Sequence, residues 1–148
     1  MNEDAFLKEV ETRARMTRDQ AYKVVQATFQ ELHDRLSPKE ADDLSAQLPG
    51  EFKRMWHALD APGREVRRTH KQDFIKHITD AAAIDEVSAI QGLMAVFKAL
   101  HIMFRSKTGM EGEAWNVFSQ LPKDLKHLWT AASSLKPPKE PKAQASAR

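Results

Sequence analysis

The chain has 148 residues, 41% of them hydrophobic and 30% charged, with no cysteine. That length suffices for one well-buried core, or for two small halves sharing one. The missing thiols exclude disulfides, thiolate zinc sites and thiol catalysis.

The net charge of +2 is unevenly spread: residues 1–59 carry −2 and residues 73–132 carry −1, against +2 in 60–72 and +3 in 133–148. A pI near 8.9 therefore describes a basic connector and tail on a slightly acidic body, which is not the profile of a large nucleic-acid footprint. The opening Met1-Asn2-Glu3-Asp4-Ala5-Phe6 lacks the basic start and apolar run of a secretion signal. No apolar stretch approaches the ~18 residues of a membrane span, so the expected location is the cytoplasm.

The periodicity is helical throughout. Phe6, Leu7, Val10 and Ala14 fall at helical spacing and give a first helix one apolar face. Thr17 and Gln20 form a capping box, the hydroxyl accepting an otherwise unpaired amide while the Gln side chain reaches back. A second helix follows with Ala21, Val24, Val25, Thr28, Phe29, Leu32 and Leu36. Ser37-Pro38-Lys39-Glu40 opens a third, through Ala41, Leu44 and Leu48. Pro49 breaks it, having no amide proton to donate, and starts a fourth through Phe52, Met55, Trp56 and Leu59.

After the turn around Pro62 and Gly63, Thr69 is the expected cap of a fifth helix carrying Phe74, Ile75, Ile78, Ala81 and Ala82. Asp85 caps a sixth with Ala89, Ile90, Leu93, Val96, Phe97, Leu100 and Phe104. A seventh runs to about Gln120, and an eighth spans 122–132. Residues 133–148, rich in Lys and Pro, have no core-forming side chains and read as a disordered tail. The prediction is all-α, with about eight helices.

Those helices come as an echo. Phe6-Leu7-x-x-Val10 returns 68 residues later as Phe74-Ile75-x-x-Ile78, and Phe29-x-x-Leu32-His33 as Phe97-x-x-Leu100-His101. Gln47-Leu48-Pro49, then Phe52, Met55 and Trp56, returns as Gln120-Leu121-Pro122, then Leu125, Leu128 and Trp129. That offset is 73, so the second copy has gained about five residues, most economically within 105–112. Two tandem four-helix units, 1–59 and 73–132, are expected to pack as one pseudo-symmetric bundle joined by the connector 60–72.

The pattern F-[LI]-x-x-[VI], a capped helix, S-P-x-E-A and Q-L-P-x-x-[FL]-x-x-[ML]-W resembles the bacterial family catalogued as Domain of Unknown Function 2267, over about residues 4–132. Gln-Leu-Pro with Trp seven residues after the Pro is its most specific part. The second copy lacks an equivalent of Ser37-Pro38 and has the insertion instead. The resemblance implies a duplicated helical bundle in a bacterial cytoplasm and brings no activity with it. Phe6-Leu7-x-x-Val10 followed by Thr17-x-x-x-Ala21-x-x-Val24-Val25-x-Ala27 is also similar to the helix-turn-helix base of bacterial histone-like proteins. Those grip DNA with β-arms, which this sequence lacks, and any two amphipathic helices with a capped turn give the same pattern.

Four groups of side chains are candidates for chemistry. His70, Asp73, His77 and Asp80 line one stripe of the fifth helix, and such donors can hold a divalent metal. At about 100° per residue the stripe lies roughly 120° from the apolar face, so a solvated flank is the preferred reading. His33 and His101 are equivalent and could face each other, although an edge position with the ring tip toward water is expected. Trp56 and Trp129 are expected as core anchors.

Aligning the copies places Ile102, Met103, Trp115 and Phe118 where the first has Asp34, Arg35, Asp42 and Ser45. Those four apolar replacements form either a partner or self-association face, or a patch covered by the insertion. The expected function is a non-enzymatic interaction or scaffold protein, without a cofactor. The alternative is nucleic-acid association through Arg64, Arg67, Arg68 and Lys71, with the tail. No convergent acid–base constellation marks an enzyme.

Overall fold

The computed structural model describes residues 1–63, 65–105 and 116–135, and every regular element among them is helical. The elements are α1 (Glu3–Ala14), α2 (Arg18–Arg35), α3 (Pro38–Ser45), α4 (Gly50–His57), α5 (Lys71–Ala82), α6 (Glu86–Arg105), α7 (residues 116–119) and α8 (Lys123–Ser133). The protein is all-α. The predicted insertion after Arg105 and the predicted tail from residue 136 onward lie outside the described residues.

Local chemistry sets most helix starts. The Asn2 side chain accepts the Ala5 amide at 2.8 Å. Thr17 and Gln20 complete their capping box, each bond 3.1 Å long. Ser37 accepts the Glu40 amide ahead of Pro38, and Asp85 accepts that of Ser88 at 2.7 Å. One predicted cap is wrong. His70, not Thr69, occupies the N-cap of α5, and the Asp73 carboxylate accepts the His70 amide at 2.8 Å. Thr69 is instead buried, its hydroxyl oxygen without a partner.

Two helices end alike. α1 ends at Arg15 and α5 at Ala83, positions that correspond in the repeat, and both have φ of 55°. Left-handed geometry at a residue with a Cβ costs about 1–2 kcal/mol, so α1 and α5 stop by the same strained turn.

Packing interleaves the two expected segments. α1 packs more extensively on α6 than on its neighbour α2, and α5 more on α2 than on α6. The first helix of each copy is thus seated on the second helix of the other, and α2 and α6 cross at the centre. At that crossing Gly92 faces Val24, its equivalent in the repeat. A Cβ on Gly92 would lie 3.0 Å from Val24 Cγ1, so glycine is what allows the two helices to approach.

One core results. In the first copy Phe6, Phe29, Phe52 and Trp56 meet edge to face, with ring centroids 5.3–6.0 Å apart. In the second, Phe97 meets Trp129 at 4.9 Å. Both tryptophans are buried, as expected of anchors. By length and composition α6 could cross a membrane, with a mean hydropathy of 1.6 over its best window, yet 67% of that window is buried inside the bundle. Its apolar surface is spent on the core.

Candidate functional site

The exchange of helices leaves a groove at the seam of the two copies. Tyr22, Gln26 and Gln30 recur every fourth residue on α2 and form one wall, a stripe about 12 Å long at 1.5 Å rise per residue. The end of α4, with Met55, Ala58 and Leu59, forms the second wall, and His77 and Ala81 of α5 the third. The cavity is about 310 Å³. Its apolar lining comes from Ala27, Met55, Ala58, Leu59 and Ala81, and its polar groups are a phenol, two amides and an imidazole. Among the described residues no lysine, arginine or carboxylate lines it. Tyr22 is 39% exposed.

Glu31 holds His77 in place. Its carboxylate is buried under α5 and lies 2.9 Å from His77 Nδ1. The other Glu31 oxygen has no partner. His77 is therefore half-buried in the α2–α5 interface and is not on a solvated flank. The rest of the predicted metal stripe is engaged separately: Asp73 accepts the His70 amide, and Asp80 pairs with Lys76 at 3.0 Å. The stripe does not converge on a common point.

A polar chain runs along the first copy. His33 Nε2 lies 2.6 Å from Asp60 and Nδ1 lies 3.2 Å from Asp34. The other Asp60 oxygen lies 3.0 Å from His57 Nδ1, and the bonds from His33 and then His57 hold the Asp60 carboxyl below its ordinary range. His57 Nε2 is 3.3 Å from Ser45.

The serine is not an available nucleophile. It is 3% exposed and donates its proton to the Asp42 carbonyl at 2.8 Å. Donor atoms of Asp42, His57 and Asp60 come within 4.8 Å of one another, which is within reach of a shared cation. All three residues are exposed, and Asp60 is already bonded to both imidazoles. Sequence reasoning missed this grouping, because its members lie on α3, at the end of α4 and in the connector.

A family model described as "Uncharacterized conserved protein (DUF2267)" matches residues 3–128, well over half of the chain. The chain belongs to the DUF2267 family. No curated protein matches it.

The remaining predicted sites of this DUF2267 protein fall as follows. His33 and His101 do not point to water. His33 is completely buried and His101 is 8% exposed, each stacked on its own copy's tryptophan, at 5.3 Å from Trp56 and 4.3 Å from Trp129. They do not face each other. Of the predicted partner face, Met103 is fully buried in the core and offers a partner nothing. Ile102 is half-buried. Phe118 is half-buried against the core, with the Lys126 ammonium 5.2 Å over its ring. Trp115 lies outside the described residues.

Of the predicted nucleic-acid residues, Arg67 spends its charge on Asp34 at 3.1 Å. Arg68 is exposed, Lys71 is half-buried and starts α5, and Arg64 lies outside the described residues.

Proposed function

We propose that this protein is a non-enzymatic helical interaction protein, and that an amphipathic peptide segment of a partner seats in the groove between α2, α4 and α5. The uncharged, Tyr- and Met-containing lining of that groove supports the reading. Recognition cores are depleted in charge and enriched in aromatic residues and methionine, with polar groups at the rim. A groove beside a helix accepts apolar anchors at i and i+4 spacing, while amide and phenol groups satisfy the polar atoms beside them.

The test is selection of helical peptides from a displayed library against the full chain, with recovered sequences re-measured against Met55→Arg and Gln26→Arg variants. Both positions line the groove, so an inserted guanidinium blocks it; Gln26 is exposed and leaves the core untouched, while Met55 packs on the core edge and its variant is first checked for folding by circular dichroism. Peptides that lose about tenfold or more in affinity for both variants, equivalent to about 1.4 kcal/mol, support the reading. Equal affinity for parent and variants, or no enrichment, overturns it.

Nucleic-acid association through the connector is the second reading, supported by Arg68, which has no carboxylate partner among the described residues. It predicts affinity that falls steeply with salt.

A further inference from the structure

A second cavity opens where the connector crosses between the end of α2 and the start of α8. It measures about 470 Å³ and is lined by Arg35, Arg68, Thr69, His70, Pro122, Lys123 and Asp124. Three positive side chains and one carboxylate share it. That carboxylate is partly committed, since Asp124 accepts the Lys71 amide at 3.2 Å and so caps α5.

Two buried donors on residues lining this cavity have no hydrogen-bond partner among the described residues. Arg35 Nε is shut off from solvent without a hydrogen bond, and so is the Thr69 hydroxyl, on a residue only 5% exposed. A buried polar group left unpaired costs about 1–3 kcal/mol, so two in one wall are unusual unless something else supplies their acceptor. Arg35 also faces Arg68. Burial, with the Arg68 charge adding to it, holds the Arg35 guanidinium below the ordinary arginine range. Like charges converge here with no carboxylate pairing either one among the described residues, whereas Arg67 next door is neutralised by Asp34.

The cavity also receives the start of α8. Pro122 is its N-cap and provides no side-chain cap, and Lys123 and Asp124 of the first turn line the same space, at the helix end that favours negative charge. A guanidinium fork, a hydroxyl and a helix N-terminus therefore approach from three elements. That spatial arrangement suits a tetrahedral oxyanion better than a planar carboxylate.

We infer that this cavity is a binding site for the phosphoryl group of a small phosphomonoester, held by Arg35, Arg68, Thr69 and the first turn of α8. Arg68 and the accessible part of the Arg35 guanidinium meet the phosphoryl oxygens, and rotation of the buried Thr69 side chain turns its unpartnered hydroxyl toward one of them. The organic part occupies the remaining volume toward His70 and Lys123. The site is separate from the peptide groove and shares no residue with it.

The full chain is titrated calorimetrically at constant ionic strength with inorganic phosphate, with phenyl phosphate and with a single-stranded oligonucleotide. Saturable one-to-one binding of phenyl phosphate is expected, and inorganic phosphate binding alongside it shows that the phosphoryl group is what the site reads. Arg35→Gln should weaken phenyl phosphate by about tenfold or more, through loss of a charge-assisted hydrogen bond. Thr69→Val should weaken it severalfold, while Arg67→Gln, outside the cavity, should match the parent.

If Arg35→Gln does not fold, Arg68→Gln on the exposed connector carries the same expectation. Absence of saturation at millimolar phenyl phosphate overturns the inference, as does unchanged affinity in the Arg35 and Arg68 variants. Binding of the oligonucleotide with none of either phosphate also overturns it, and assigns the basic residues to nucleic acid.

Discussion

The first and second copies bury the same pair of rings and wire them differently. His33 stacks on Trp56 and His101 on Trp129, so the apolar geometry is shared. His33, however, reaches out to Asp34 and Asp60, while His101 Nε2 lies 2.9 Å from the Trp129 backbone carbonyl. The position matching Asp60 is Ser133, whose carbonyl accepts from the buried Lys98 ammonium at 2.9 Å. The shared part is what the core requires. The polar part is free to diverge, because each copy needs only to satisfy its own buried donors.

The largest expected effect would break the equivalence of the anchors if it failed. Trp56→Ala and Trp129→Ala should each destabilise the fold by about 3–5 kcal/mol, the usual cost of truncating a large buried aromatic, read as a shift in the urea midpoint. If one loss is near zero while the other is full, that copy's tryptophan is not an anchor and the shared geometry is coincidental.

Next is the crossing of α2 and α6. Gly92→Val should cost about 1–3 kcal/mol, because the added methyls meet Val24. Placing Val24→Gly in the same chain exchanges the two equivalent residues and should recover part of that loss. Costs that simply add would show that the two positions are not coupled.

The different wiring should also separate the copies on a pH scale. Burial, before any other cause, lowers the His101 pKa from its ordinary 6.5. The unfolded chain then binds the proton more readily, so this contribution is complete above pH 6.5 and is lost as pH falls below it. Asp60 is lowered from 3.8 by its bonds to His33 and His57. Its contribution is present above pH 3.8 and lost only as pH falls through its lower folded value. Urea midpoints measured against pH should lose the upper slope in His101→Gln and show a shallower acidic one in Asp60→Asn, where Asp4 and Asp85, also lowered, keep the remainder. A parent-like upper slope in His101→Gln would place its source elsewhere.

The smallest effect should be the same in both copies. Arg15→Gly and Ala83→Gly each relieve a left-handed Cβ, offset by the greater freedom of glycine in the unfolded chain. Each should stabilise by up to about 1 kcal/mol in thermal melts. A gain in only one would mean that the matching φ values conceal different local strain.

Much of this was legible in the sequence because it is local. Thr17, Ser37 and Asp85 cap their helices using residues three positions away, and the apolar faces of α1, α2, α5 and α6 follow from helical spacing. Thr69 shows the limit of such reading. It has the right chemistry for a cap, yet His70 and Asp73 take that role, and Thr69 is buried instead, lining a cavity with residues of α2 and α8. Met103 shows it again. The alignment marked it as a polar position turned apolar, but only the position of neighbouring helices could decide between surface and core. The groove residues Tyr22, Gln26 and Gln30 look like an ordinary exposed stripe until α4 and α5 are placed on either side.

By itself the sequence determined the helices, most of their caps and the two tryptophan anchors, since propensity, capping and apolar period act over a few residues. Tertiary structure alone decided that α1 would seat on α6 and α5 on α2, that Val24 would meet Gly92, and that Arg35, Arg68 and Thr69 would share one cavity. Those outcomes depend on which apolar face finds which across tens of residues. A hydrophobic face is non-directional and specifies burial without naming its partner, so the choice falls to shape and close packing.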